Sequence, residues 1–244
     1  MSNSPKKVAL VTGANKGIGL EVARQIGRTG ATVLVGARNK LAGEKAAAML
    51  TSEGLATRFV AIDVVDQASV GAAAAAIANE FGRLDILVNN AGMSDPADGP
   101  VPAASLDAVE RVWRTNFLGA LAVTQAMLPL LRQAPSARIV NVSSGLGSLA
   151  MNGDPANPFA AVKLIGYSAS KAALNMLTVQ LGYLLRDTAI KVNSADPGYT
   201  ATDLNGHRGS QTIPEGAAEA VRLALLSDDG PTGSYSDSKG IVAW

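Results

Sequence analysis

Two reactive side chains sit four residues apart in Tyr167-Ser168-Ala169-Ser170-Lys171: a phenol and an ammonium. On a helix that spacing points both the same way. A cation beside a phenol favours the phenolate, which would draw the tyrosine down from its ordinary value of about 10 toward working pH and suit it to proton transfer. A second pattern, Thr12-Gly13-Ala14-Asn15-Lys16-Gly17-Ile18-Gly19, follows an apolar run and opens into a helical stretch. Glycines there permit a tight turn and let the backbone approach a pyrophosphate, Gly19 lets the helix pack close to the sheet, and the free amides of the first helical turn face the anion. The spacing is Gly-x-x-x-Gly-x-Gly, not the commoner Gly-x-Gly-x-x-Gly. Its place between a first strand and a first helix marks a dinucleotide site.

The end of the second apolar run decides which dinucleotide fits. A carboxylate at that point would accept from a ribose hydroxyl, whereas a cation would neutralise a 2′-phosphate. The residues are Gly36-Ala37-Arg38-Asn39. No acid is present, Arg38 offers a planar fork suited to phosphate oxygens, and Lys16 adds a second positive charge from the glycine-rich turn. NADP(H) is the cofactor expected.

These residues need elements to hold them. Apolar, β-branched runs at Val8–Thr12, Thr32–Val35, Thr57–Ile62, Leu84–Val88, Ala137–Val142 and Ile190–Asn193 read as strands buried on both faces. Between them lie predicted helices at Gly17–Arg28, Leu41–Ser52, Gln67–Phe81, Leu106–Arg132, Tyr167–Arg186 and Pro214–Leu226. This alternation predicts an α/β fold, a single-domain doubly wound parallel sheet of about seven strands with helices on both faces. Met93–Pro102, Gly145–Gly166 and Tyr199–Ile213 fit no regular element and follow strands at the end where such sheets bind ligands. Trp113 and Tyr183, inside predicted helices, are expected in the core; Met93, Leu146, Phe159 and Tyr199 are expected to wall a mainly apolar substrate pocket.

Composition removes other chemistries. The chain has no cysteine, which excludes disulfides, thiolate metal sites and a cysteine nucleophile, and His207 is its only histidine, which leaves Ser-His-Asp catalysis and histidine-rich metal sites with almost no raw material. No metal is expected. Lys+Arg number 21 against Asp+Glu 20, so there is no basic field for nucleic acid. The amino end, Met1–Lys7, is short and polar, and no run approaches the roughly 20 apolar residues that span a bilayer, so no membrane association and a cytoplasmic location are expected.

Four further motifs stand in order: Asp63-Val64, Asn89-Asn90-Ala91-Gly92, Asn116 within Thr115-Asn116-Phe117, and Asn141-Val142-Ser143-Ser144; Pro197-Gly198-Tyr199-Thr200-Ala201-Thr202 comes later. With the glycine-rich turn and the Tyr167/Lys171 pair, they make the chain, from Lys7 nearly to Trp244, resemble the short-chain dehydrogenase/reductase family. Asn15-Lys16, Arg38, Pro214-Glu215-Gly216-Ala217 and Trp244 are similar to its NADPH-dependent carbonyl reductases. The resemblance implies a catalytic set of Asn116, Ser144, Tyr167 and Lys171. It implies adenine contacts at Asp63 and Val64, a cofactor-lining turn with Asn89, Ala91 and Gly92, and nicotinamide contacts from Pro197, Gly198, Thr200 and Thr202. In the family's pattern Lys171 also bonds the nicotinamide ribose and Asn116 holds a water that reaches solvent.

The activity implied is NADPH-dependent reduction of a ketone or aldehyde, or the reverse oxidation of an alcohol. A non-catalytic NADP(H) sensor would need neither Tyr167 nor Lys171, and a scaffold protein would need no complete cofactor edge. The resemblance also implies a homodimer or homotetramer built on Leu106–Arg132 and Tyr167–Arg186. Two features depart from the family. The stretch from Ser144 to Tyr167 is longer than usual, adding bulk that works against pairing, and Asp196 puts a charge before Pro197-Gly198 where an uncharged residue is more usual.

Overall fold

The run Val8-Ala9-Leu10-Val11-Thr12 is buried along its whole length as β1 (Val8–Thr12). In the computed structural model, which describes residues 6–244, β1 lies inside the sheet, third from one edge. Most of the polar amino end, Met1–Lys7, is outside the described residues. Parallel partners flank β1: β2 (Thr32–Ala37) on one side and β4 (Ile86–Asn89) on the other. Beyond β2 lies β3 (Thr57–Ala61). Beyond β4 come β5 (Ala137–Val142), β6 (Ile190–Ala195) and β7 (Ser234–Asp237), all parallel, and then the two-residue antiparallel β8 (Gly240–Ile241). The strand order β3-β2-β1-β4-β5-β6-β7-β8 reverses direction between β1 and β4, the switch point where open α/β sheets bind ligands.

Alternate residues of each central strand feed two cores. Ala9, Val11, Val33, Val35, Val88 and Val140 pack with Val22 and Ile26 of α1 (Gly17–Gly27), Leu50 of α2 (Lys40–Ser52) and Ala220 of α8 (Ile213–Ala224). On the other face, Leu10, Leu34, Leu87, Ile139 and Val192 pack with Ile77 of α3 (Gln67–Phe81), Met127 of α5 (Ala120–Leu131) and Leu181 of α7 (Ile165–Leu184). Local chemistry starts several helices where the sequence predicts them. The Asn39 side chain accepts from the Ala42 amide at 2.9 Å, and Thr212 and Glu215 cap α8 reciprocally, with Pro214 in its first turn.

The sheet's eight strands accord with the expected number of about seven; the two that no apolar run marks are Ser234-Tyr235-Ser236-Asp237, carried by tertiary pairing with β6, and the two-residue β8. The departures have physical reasons. The long helix expected over Leu106–Arg132 is α4 (Leu106–Trp113), a wide π-helical turn (Arg114–Gly119) and α5 in continuous succession. Within the stretch expected to be irregular, a 3₁₀ turn (Gly145–Gly147) precedes a short helix, α6 (Leu149–Gly153). Tyr183 is 69% exposed and not in the core: it lies two residues past buried Leu181, on the opposite side of α7, under the Arg186 guanidinium at 4.2 Å. Trp113 is half-buried, edge-on to Phe117. Among the described residues, no helix is long and apolar enough to cross a membrane.

Candidate active site

At the carboxyl end of β1 the Thr12 hydroxyl accepts from the Asn90 and Ala91 amides, each at 3.0 Å, and the Asn90 side chain donates back to the Thr12 carbonyl at 2.8 Å. The turns after β1 and β4 are thereby bonded into one surface. Gly13 and Gly17 have φ of 63° and 57°, in the left-handed region that glycine alone adopts cheaply. Gly19 is required by packing: a Cβ there would overlap Asn90 Nδ2 and stand 2.6 Å from the Gly13 carbonyl oxygen. Lys16 occupies the N-cap of α1 with no side chain capping the helix and no acidic residue in its first turn. The positive end of α1, including the Ile18 and Gly19 amides, is left for an external anion. Above Gly17 an added Cβ would meet only Thr202 Cγ2, in ordinary contact at 4.0 Å.

Around this turn, Asn15 is half-buried and Arg38 is exposed at the end of β2. Lys16 differs from expectation. Its ammonium bonds Asp203 at 2.5 Å, and His207 Nε2 lies 2.9 Å from the same carboxylate, so the charge expected to face a 2′-phosphate is engaged by the loop after β6. The carboxylate of Asp63 accepts from the Val65 amide at 3.2 Å and shapes the turn after β3, while Val64 packs so tightly on Gly119 that a Cβ there would come within 2.8 Å of it. An uncapped helix N-terminus, an open glycine turn and a guanidinium at the end of β2 together fit a phosphorylated dinucleotide.

The catalytic candidates gather on the other side of β4. Tyr167 and Lys171, in the first turns of α7, are both buried. Lys171 Nζ donates to the Val142 carbonyl at 2.7 Å and lies 5.7 Å from the centre of the Tyr167 ring. Ser144 follows β5 in an extended conformation, its hydroxyl within hydrogen-bonding reach of the Tyr167 phenol. Asn116 stands in the π-helical turn, where the wider coil re-aims side chains relative to a regular helix. It accepts from the Met93 amide at 2.8 Å and donates to the Met93 carbonyl at 2.9 Å and to Ser170 Oγ at 3.0 Å. A Cβ on Gly92 would lie 3.5 Å from both Asn116 Oδ1 and Lys171 Nζ, which places that turn directly over the pair. Asn89 helps hold the assembly: its side chain donates to Asn141 and Thr124, each at 2.9 Å, and Asn141 donates to Thr178 of α7 at 2.8 Å.

Burial dominates the ionisation of this pocket. It pushes the Tyr167 phenol up to about 12, with Ser144 pulling the other way and Asp196 adding to the rise. It pushes the Lys171 ammonium down to about 8, opposed by Asp196. The expectation that Lys171 draws the phenol downward is therefore not met, because a dry pocket penalises both charged forms and a neighbouring carboxylate disfavours the phenolate. The phenol keeps its proton at neutral pH and so has one to donate, but at about 12 it is a weaker acid than the spacing alone predicts.

Asp98 is a functional residue that sequence reasoning missed. Its buried carboxylate accepts from the Gly166 and Tyr167 amides at 2.9 and 2.8 Å and caps the N-terminus of α7, for which Leu164 has no side-chain cap. Within Asp95-Pro96-Ala97-Asp98-Gly99 nothing marks it as the cap of a helix that begins far along the chain. Trp244 stacks on Tyr235 with ring centres 5.4 Å apart, and its carbonyl accepts from Ala150 at 3.0 Å, pinning the inserted stretch. At the rim, Phe159 and Tyr199 approach with ring centres 5.8 Å apart, and Met93 and Leu146 are half-buried. Pro197 and Gly198 follow β6, where the Gly198 amide donates to Asp196 Oδ1 at 2.9 Å. Thr200 is buried, and its hydroxyl donates to the Pro197 carbonyl at 2.8 Å, shaping the loop from within.

The family model for short chain dehydrogenases matches residues 7–212. Carbonyl reductase 1 of Sus scrofa, named for NADPH, is 32% identical over 99% of this chain and 96% of that protein. The (-)-isopiperitenone reductase of Mentha piperita is 33% identical over 94% of this chain and 96% of that protein. Among solved structures, the NADPH-bound carbonyl reductase from chicken fatty liver superposes with a TM-score of 0.84 at 30% identity, covering 98% of this chain and 99% of that one.

Proposed function

The chain belongs to the short-chain dehydrogenase family, and from that premise we propose that it is an NADPH-dependent reductase of a ketone or aldehyde, running in reverse as an alcohol dehydrogenase. One observation carries this reading: Tyr167 and Lys171 are buried side by side at the carboxyl end of β5, with Ser144 in hydrogen-bonding reach of the phenol, in a chain that also has an uncapped helix N-terminus after β1. The names of its relatives from Sus scrofa and chicken support the choice of NADPH and of a carbonyl substrate. The glycine turn Gly13–Gly19 would hold the pyrophosphate, Arg38 the 2′-phosphate, and Pro197-Gly198 with Thr202 the nicotinamide end. Bound there, NADPH supplies the hydride.

The chain's own residues handle the proton. Tyr167, kept protonated by burial, donates its hydroxyl proton to the carbonyl oxygen as negative charge develops on it. Ser144 donates a hydrogen bond to the same oxygen. The Lys171 ammonium stabilises the phenolate left behind, and Asn116, tied to Met93 and Ser170, fixes the floor of the pocket. Phe159, Tyr199, Met93 and Leu146 form the apolar wall that admits the substrate and keeps water out.

The assembly we propose is a homodimer or homotetramer, supported by Met176, Val179, Tyr183 and Leu184, which lie exposed along α7. Light scattering tests it, and a mass of 24.8 kDa in solution would rule it out. The enzymatic reading is tested by following NADPH oxidation against a panel of aldehydes, ketones and quinones. Turnover of at least one carbonyl, lost in Tyr167→Phe, is expected; NADPH binding with no turnover of any would favour a sensor.

A further inference from the structure

Asp196 carries a charge where the family's pattern has none, and it is buried, 8% exposed, between β6 and Pro197. Its backbone still belongs to the sheet, the amide donating to Ser236 at 2.8 Å. A buried carboxylate is costly unless its oxygens are satisfied. Here Oδ1 accepts from the Gly198 amide at 2.9 Å. The other oxygen, Oδ2, lies against Gly145, where an added Cβ would stand 3.0 Å from it, and the Gly145 amide also stabilises the ionised form. Gly145 directly follows Ser144, and Gly198 belongs to the Pro197-Gly198 turn. One side chain thus connects the two segments on either side of the proposed reaction centre.

Four other groups face this carboxylate or share its pocket. From α7 come Lys171, whose charged form it favours, and Tyr167, whose ionised form it disfavours. From β7 come Tyr235, held protonated by burial and by Asp196, and Asp237, which opposes ionisation of Asp196. Asp196 forms no direct ion pair with Lys171, but it is near: Lys171 Nζ donates to the Val142 carbonyl, and Val142 pairs across the sheet with Ala195, the residue before Asp196.

We propose that Asp196 is a positioning residue of the reductase site: its carboxylate bridges the Ser144-Gly145 and Pro197-Gly198 segments and is the counter-charge for the buried Lys171 ammonium. The proposal rests on the catalytic reading of Tyr167 and Lys171. Through them the carboxylate keeps the proton on the phenol and the charge on the amine, the state in which the site is ready to reduce.

The test is Asp196→Asn, which can still accept from Gly198 but has lost the charge. In cofactor-free protein the Lys171 ε-carbon, followed by NMR after selective ¹³C labelling, should titrate at lower pH in the variant, by about half a unit or more. In steady-state reduction, the fall of kcat at alkaline pH should move down by the same amount while the melting temperature and NADPH affinity change little. An unchanged Lys171 titration in a folded variant overturns the proposal. Should the variant not fold, the unmodified protein decides: protonation of Asp196 in acid must appear as a second inflection in the Lys171 resonance that coincides with the Asp196 carboxyl titration, and its absence overturns the proposal equally. The NMR measurement needs no turnover, so a failure of the reductase reading, seen as inactivity toward every carbonyl, is distinguishable from a failure of this one.

Discussion

Around the glycine turn the structure is held by two short polar side chains bonded to backbone and by close backbone packing, whereas around Tyr167 it is held by buried side chains from elements distant in the chain. The Thr12 hydroxyl and the Asn90 side chain bond main-chain amides and carbonyls within a few residues of β1 and β4, and Gly19 leaves no room for a methyl group. The catalytic pocket is assembled from α7, β5, β6 and the π-helical turn, and depends on Asp98, Asn116 and Asp196 to hold segments distant in the chain. The first region tolerates almost no change of shape. The second is sensitive to charge and to hydrogen-bonding pattern, because its polar groups are desolvated.

Substitutions can separate the two. The largest effect is expected in the catalytic pocket from Tyr167→Phe, which keeps the ring and removes the proton. Its kcat should drop by about 10²- to 10⁴-fold, with NADPH affinity by fluorescence titration nearly unchanged. A parallel loss of NADPH affinity would mean that the two regions are not separable in this way.

Gly19→Ala probes the backbone-held side. Overpacking against Asn90 and Gly13 should cost about 1–3 kcal/mol of stability, seen as a lower melting temperature, and should weaken NADPH binding by tenfold or more. Normal affinity would show that the turn relaxes more readily than its contacts imply.

Acidity tests the charge-held side in the unmodified protein. Tyr167, near 12, stays protonated through the ordinary range, while Lys171, near 8, loses its charge as pH rises past that value. Reduction should therefore be flat below about pH 8 and fall above it, approaching about tenfold per unit where the ammonium is essential. Rates that stay level to pH 10 would remove Lys171 from the mechanism.

Arg38→Asp should abolish a preference for NADPH over NADH that is expected to be at least about tenfold in Kd. Because Lys16 is engaged by Asp203, Lys16→Ala should change that preference less than Arg38→Asp does. The smallest effect is expected at the rim, where Phe159→Ala should shift KM for the best substrate by a few fold and leave kcat and stability almost untouched, since the ring is 41% exposed.

The same contrast runs through what could be read before the fold was known. The glycine turn, Arg38 and the Tyr167/Lys171 pair were legible because each acts through residues close in sequence, where a turn or one helical step sets the geometry. Strand and helix alternation was equally legible, since apolar periodicity expresses local burial. β7 was not, because Ser234–Asp237 is polar and becomes a strand only by pairing with β6. Asp98 gave no local signal, since the helix it caps lies 68 residues on.

The amino-acid order alone determined the doubly wound sheet, the glycine-rich turn between β1 and α1 and the Tyr167/Lys171 pair on one helix, all of which arise from short-range spacing. Tertiary structure decided the protonation states and the partners. Tyr167 is raised, not lowered, because burial, with Asp196 adding to it, outweighs the Ser144 hydrogen bond, and Lys16 meets Asp203 because the loop after β6 folds back onto the glycine turn. Desolvation and long-range contact depend on what the rest of the chain packs around a residue, a property that no window of sequence contains.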